Sequence, residues 1–121
     1  MIKKLPFILF LMFTVGLVAQ STKTVTIDWG RNSTPSATGD SNASRTIEVG
    51  DTVTWNWYAT GTHNVKSAAS ATETFQSNYF GNGGTFSHTF ISEGSNEYIC
   101  SPHPSDMFGT ITVVADGALS T

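Results

Sequence analysis

Thr52-Val53-Thr54-Trp55-Asn56-Trp57 sets an apolar side chain at every second position, with a polar one between each pair. Successive side chains of an extended chain point to opposite faces, so this stretch carries one apolar face and one polar face. Strict alternation built from β-branched and aromatic residues is the pattern of a half-buried strand. The same period recurs outward in both directions: Val25, Ile27 and Trp29; Ile47 and Val49; Phe86, His88 and Phe90; Ile111 and Val113. Turn-forming clusters separate the runs, at Gly50-Asp51, Ala59-Thr60-Gly61, Gly81-Asn82-Gly83-Gly84, Glu93-Gly94-Ser95-Asn96 and Asp116-Gly117. No helical period occurs after the first twenty residues, and the pattern predicts an all-β, antiparallel sandwich or barrel.

Two stretches lack the apolar content of strands. Arg31 to Ser44 is rich in Ser, Thr, Asn and Gly, and Lys66 to Thr74 is small and polar. Both read as loops, the second with room for one short helical turn. The first twenty residues are of another kind. Lys3 and Lys4 form a basic head, Leu5 to Val18 is almost wholly apolar, and Ala19 offers a small-residue exit. This is the pattern of a secretory signal peptide over residues 1–20, and an apolar run of 14 residues is short of the roughly 18 a membrane span requires. The expected organisation is a signal peptide, a single domain over 21–115 and a flexible tail over 116–121. An exported protein, periplasmic or secreted, follows, with no membrane span once the signal is removed.

Loss of Lys3 and Lys4 with the leader takes the formal net charge from −3 to −5. The acidic residues are scattered rather than clustered, and no basic patch is present to neutralise phosphates, which excludes nucleic acid as the expected partner. The cysteine count is one. A small exported domain held by disulfides would carry an even number, so Cys100 calls for burial or a metal.

Around that cysteine the sequence reads Glu97-Tyr-Ile-Cys-Ser-Pro-His-Pro-Ser-Asp-Met-Phe-Gly109. A strand ends at Cys100, a tight loop carries His103 and Met107, and Gly109 opens the next strand. Pro102 and Pro104 restrict the backbone on either side of His103. A second imidazole is available at His63, in Gly61-Thr-His-Asn-Val65. Structural zinc takes four strong ligands, and a thioether is a poor one. Two histidines, one cysteine and a long axial methionine make an electron-transfer copper set. Thiolate and thioether favour Cu(I), imidazoles keep Cu(II) acceptable, and one ion that both oxidation states tolerate reorganises little on electron exchange.

The order Val49-Gly-Asp-Thr-Val-Thr-Trp55, His63-Asn-Val65, Phe86-Ser-His-Thr-Phe90 and Tyr98-Ile-Cys-Ser-Pro-His103 resembles the plastocyanin/azurin family of blue copper proteins, the cupredoxins. The resemblance covers nearly all of the chain beyond the leader. It implies a Greek-key β-sandwich with His63, Cys100 and His103 as equatorial ligands of one copper ion, Cu(I)/Cu(II), and Met107 as the axial one. The three residues between His103 and Met107 differ from the two or four common in relatives with the same Cys-x-x-His opening. Asn64 resembles a residue whose backbone helps hold the cysteine sulfur, and Pro102 has no N–H to give it. By the resemblance the protein is a monomeric electron carrier that meets redox partner proteins through a weak, transient interface around His103, Pro104 and Phe108.

Other features have plainer readings. His88 shares a strand face with Phe86 and Phe90 and is expected to be a structural histidine rather than a ligand. Trp29, Trp55 and Trp57 are expected to pack the core, and Tyr98 to be structural. No paired carboxylates, activated nucleophile or phosphate loop is present, so no catalytic residue is expected and the protein is not read as an enzyme. Two rivals use the same residues: a copper-binding storage, delivery or sensing module, and a secreted interaction sandwich with a vestigial site.

Overall fold

The computed structural model describes residues 20–119. The leader expected over 1–20 therefore lies, apart from Gln20, outside the described residues. Seven strands follow in chain order: β1 Thr24–Trp29, β2 Arg45–Glu48, β3 Thr52–Trp57, β4 Lys66–Ser67, β5 Thr85–Thr89, β6 Gly94–Ile99 and β7 Phe108–Val114. They form two sheets, one ordered β1-β3-β5 and the other β2-β7-β6-β4. A single 3-10 turn at Gly39–Ser41 interrupts the first long loop, and the stretch from Lys66, expected to be loop with room for one short helical turn, begins instead with the short β4. No helix among the described residues is long and apolar enough to cross a membrane.

The expected alternation is what fills the space between the sheets. Val53, Trp55 and Trp57 of β3 and Ile27 and Trp29 of β1 are fully buried, as are Ile111 of β7 and, to within 1 %, Ile47 of β2 and Tyr98 of β6. Tyr98 joins the layers: its ring lies 5.2 Å from that of Trp55 and 5.3 Å from that of Trp29, both on the other sheet. Its hydroxyl donates to the Ala43 carbonyl. Tyr98 is the cross-strand partner of Gly109, where a Cβ would stand 2.1 Å from that same carbonyl oxygen. Glycine at this point lets the end of the first loop lie directly on β7.

The sheets are mixed rather than antiparallel, which corrects the expectation. β1 runs parallel to β3 and β2 parallel to β7, while β3–β5, β4–β6 and β6–β7 are antiparallel. A period of two assigns each residue to a face and is silent on strand direction. Direction follows from the crossings: β1 and β2 belong to different sheets, so each joins its neighbour along an edge instead of closing a hairpin.

The strand order also separates the two ends of the sandwich. β3 runs from Thr52 toward Trp57, and β6 toward Cys100, so the loops that bear His63 and Cys100 emerge at one end. At the other end, carboxylates hold both ends of the described chain. Asp51 accepts from the Ser21 hydroxyl and from the Lys23 and Glu48 N–H groups. Residues 116–119 of the expected tail form a turn whose Gly117 and Leu119 N–H groups donate to the Glu48 carboxylate. Burial pushes the Asp51 pKa up, but the hydrogen bonds from Ser21, Glu48 and Lys23 and the Lys23 charge outweigh it and leave Asp51 below its ordinary value.

A carboxylate depressed on folding contributes stability above its unfolded pKa of about 3.9, and that contribution is lost as pH falls through the lower folded value. Unfolding monitored by circular dichroism is expected to show stability falling below about pH 4, with a shallower fall in Asp51→Asn.

Candidate metal centre

Cys100 follows the last residue of β6, and the ladder with β7 continues one step past the final strand pair, Ile99 with Phe108. The Cys100 N–H donates to the Met107 carbonyl at 2.9 Å. Cys100 and Met107 therefore oppose each other across two antiparallel strands, and both are fully buried. Opposed residues share a face. Tyr98 sits two positions before Cys100 and is buried on that same inner face. The intervening loop closes on itself: the His103 N–H donates to the Cys100 carbonyl and the Met107 N–H to the His103 carbonyl, each at 3.0 Å.

His63 arrives from the other sheet, six residues beyond Trp57. It exchanges both backbone hydrogen bonds with Phe80, at 2.9 and 3.0 Å. Gly61, at φ +106°, allows the ring to lie against the backbone, because a Cβ there would stand 2.8 Å from His63 Nε2. Nε2 also lies 3.3 Å from the Thr60 carbonyl. A carbonyl only accepts, so Nε2 carries the proton and the Nδ1 lone pair is left facing inward.

The three donor atoms converge. His63 Nδ1 and His103 Nδ1 are 3.1 Å apart, and Cys100 Sγ lies 3.7 Å from the first and 3.6 Å from the second. Nitrogen and sulfur ligands at about 2.0–2.3 Å from one ion stand roughly 3.5 Å apart in a trigonal set, so this triangle is of the right size to share a metal. His63 and Cys100 are buried, while His103 is partly exposed. One imidazole thus reaches solvent and the other two donors do not.

Asn64 ties the two ligand-bearing loops together. Its Oδ1 accepts the Ser101 N–H at 2.7 Å, and its Nδ2 donates to Ser101 Oγ at 2.9 Å. Burial pushes the Cys100 thiol up, against the lowering effect of the donors from Asn64 and His103. Burial also holds His63 below its ordinary value, opposed by its bond to Thr60 and reinforced by the charge of His103. At neutral pH the metal-free centre is consequently a neutral imidazole beside a protonated thiol.

Sequence reasoning missed three supports. Arg31 to Ser44, read as too polar to pack, braces the ligand loop: Asn32 N–H donates to the Asp106 carbonyl, Phe108 N–H to the Ser33 carbonyl, and Arg31 pairs with the Asp106 carboxylate. The Trp57 and Trp29 indoles, read as packing, also donate to the His63 and Asn64 carbonyls, at 2.9 and 3.0 Å. Phe80 was not singled out. None of these is marked locally, because each depends on where a distant carbonyl falls.

His88 stands apart, paired with Val53, about 13 Å along β3 from Trp57 at 3.3 Å per residue. Its ring stacks on Phe75 at 4.9 Å and meets Phe90 edge-on at 4.6 Å, and Nε2 lies 3.0 Å from the Glu73 carboxylate. This is a structural histidine.

Gly61→Ala is expected to cost about 1–3 kcal/mol, from a side chain forced into a positive-φ conformation. It should also displace the His63 ring resonances in NMR spectra of the metal-free protein.

The profile of the copper binding proteins, plastocyanin/azurin family, matches residues 41–114. Halocyanin from Natronomonas pharaonis is 40% identical over 70 residues, spanning 55% of this chain and 43% of the relative. The chain thus matches less than half the length of that protein. Among solved structures, a purple cupredoxin from Nitrosopumilus maritimus superposes with a TM-score of 0.58 at 31% identity, over 76% of this chain and 99% of the other. A glutamine-for-methionine variant of amicyanin, Cu(I), superposes with a TM-score of 0.60 at 25% identity, over 75% and 82% of the two chains. A matching profile over most of the described sandwich, a related sequence and a shared fold agree with the cluster of one cysteine and two histidines: the chain belongs to the plastocyanin/azurin family of copper-binding proteins, the cupredoxins.

Proposed function

We propose that this chain is a type 1 blue copper protein that carries single electrons between redox partners, with one copper held by His63 Nδ1, Cys100 Sγ and His103 Nδ1 and with Met107 as a weak axial ligand. The observation that carries the reading is the triangle of donors from two loops, all within 4.8 Å of one another. Bound copper supplies the one-electron couple, alternating between Cu(I) and Cu(II). The donor chemistry fits: a thiolate and a thioether suit the reduced ion, imidazoles suit the oxidised one, and a fixed set of both serves either.

The protein's own part is to hold that set still and dry. Two loops clamped by Asn64 and Ser101 leave the ligands little room to rearrange, so little energy is spent on reorganisation. Met107 is buried and opposite Cys100, which favours it as the fourth ligand. His103 is the half-exposed member and is the edge through which an electron passes. Phe108, 37 % exposed, flanks it with Pro104 on a surface suited to brief contact with a partner.

In this reading residues 1–20 direct export and are removed, residues 21–115 form the working domain, and 116–121 form a tail. The protein acts outside the cytoplasm, in the periplasm or secreted, as a monomer and as a carrier rather than an enzyme.

Absorption and spin-resonance spectra of the copper-loaded protein provide the test. An intense thiolate-to-copper band is expected, bleached quickly and reversibly by a one-electron reductant. A bound copper that does not cycle would instead favour storage or delivery. Cys100→Ser is expected to abolish the band while far-ultraviolet circular dichroism stays that of the folded sandwich; surviving colour would refute the thiolate assignment. Met107→Leu is expected to keep the colour and raise the reduction potential, because the oxidised ion loses a weak donor. Voltammetry reads that shift directly.

A further inference from the structure

Met107 is fully buried, yet its unbranched thioether side chain has several rotatable bonds and little shape of its own. What fixes such a side chain first is its backbone, and four hydrogen bonds hold the backbone around Met107. The peptide joining Asp106 to Met107 has its carbonyl on the Asn32 N–H, at 2.8 Å, and its N–H on the His103 carbonyl, at 3.0 Å. The peptide joining Met107 to Phe108 has its carbonyl on the Cys100 N–H, at 2.9 Å, and its N–H on the Ser33 carbonyl, at 3.1 Å.

A peptide group is planar, so the soft backbone torsions at Met107 are those that turn these two planes against one another. With each plane tied at both ends, neither torsion is free, and the direction of the Cα–Cβ bond is set. One tie of each pair lies within the ligand loop or continues the β6–β7 ladder. The other comes from Asn32 and Ser33, far earlier in the chain.

Those two residues owe their place to the Ser33 side chain, which is fully buried. Its hydroxyl donates to the Asp28 carbonyl at 2.7 Å and accepts the Gly30 N–H at 3.0 Å. The Ser33 N–H donates in turn to the Gly30 carbonyl, also at 3.0 Å. The chain leaving β1 is thereby folded into a tight turn, with Asn32 at φ +72°, a left-handed conformation that asparagine accepts more readily than most residues.

We propose that Ser33 is a positioning residue for Met107: its hydroxyl shapes the turn over residues 30–33, and that turn holds both peptide planes of Met107 and so fixes where the thioether stands. The redox consequence rests on the blue copper reading with Met107 as axial ligand, and the structural one rests on the protein alone. Three residues separate His103 from Met107, and a brace from outside gives a loop of that length a defined place for its sulfur. A thioether released from its place donates less to the oxidised ion, which favours Cu(I) and raises the potential.

Ser67 is the control. Its hydroxyl likewise makes one donating and one accepting bond to backbone, at 3.0 and 2.9 Å, but both go to Phe75. It lies on β4, separated from β7 by β6.

The test compares Ser33→Ala with Ser67→Ala in metal-free and copper-loaded protein. In the metal-free protein, Ser33→Ala is expected to shift the Met107 methyl resonance in NMR spectra. It should also move the Phe108 amide proton upfield, the sign of a weaker hydrogen bond, whereas Ser67→Ala leaves both in place. In the loaded protein, Ser33→Ala is expected to raise the potential by less than about 59 mV, the equivalent of a tenfold change in the Cu(I)/Cu(II) preference, because the sulfur is loosened rather than removed. Ser67→Ala is expected to leave the potential unchanged. Should Ser33→Ala fail to fold, Ser33→Cys keeps a side chain of similar size with only a weak donor, and is expected to move the same resonances by less. A Met107 methyl that stays in place, or that moves equally in Ser67→Ala, would overturn the proposal, as would a potential that stays or falls in Ser33→Ala. Wild-type protein that binds copper without a thiolate band would overturn the blue copper reading instead, and the metal-free spectra would still decide the role of Ser33.

Discussion

The centre depends on a clamp between two loops that belong to different sheets. Asn64 grips Ser101 through both polar atoms of its carboxamide. Without that grip, His63 and Cys100 would each be well placed on their own loops but free to move relative to one another. A metal site assembled from separate segments needs such supporting contacts, since the ligands alone set neither their spacing nor their orientation. Asn64 is fully buried, so these hydrogen bonds form where water does not compete and where losing one leaves a polar group unpaired.

The clamp is useful because both loops are themselves rooted in rigid structure. Cys100 and Met107 extend the β6–β7 ladder by one pair, so their geometry is that of a sheet rather than of a free loop. His63 is bridged to Phe80 and backed by Gly61. The first long loop straps the outside of the ligand loop through Asn32, Ser33 and Arg31. Burial then tunes the donors in the absence of metal: the thiol is kept protonated and the inner histidine neutral. Metal binding must displace the thiol proton, while the imidazole is ready to ligate.

Separation along the long axis of the sandwich complements this arrangement. One end carries the converging donors of His63, Cys100 and His103, and the opposite end gathers Glu48, Asp51 and Asp116 to hold both ends of the described chain. These acidic side chains serve as anchors at the end away from the metal centre. Asp106 is the exception beside the site, and Arg31 answers it.

Much of this was legible in the amino-acid order. Alternation in Val53-Thr54-Trp55-Asn56-Trp57 assigned the inner face correctly, because side-chain direction in a strand is a local property. The Cys-x-x-His-x-x-x-Met spacing named the metal, because donor softness belongs to the residues themselves. Strand direction was not legible, and β1 and β2 proved parallel to their partners, since pairing depends on which sheet a crossing enters. Nor could the order of residues show which ring nitrogen faces inward: Nδ1 of His63 does so because the Thr60 carbonyl occupies the other. The links from Trp57 and Trp29 to the carbonyls of residues 63 and 64 likewise arise only when strands far apart in the chain are folded over one another. A hydrogen bond across that distance is a fact of three-dimensional placement, and no local pattern encodes it.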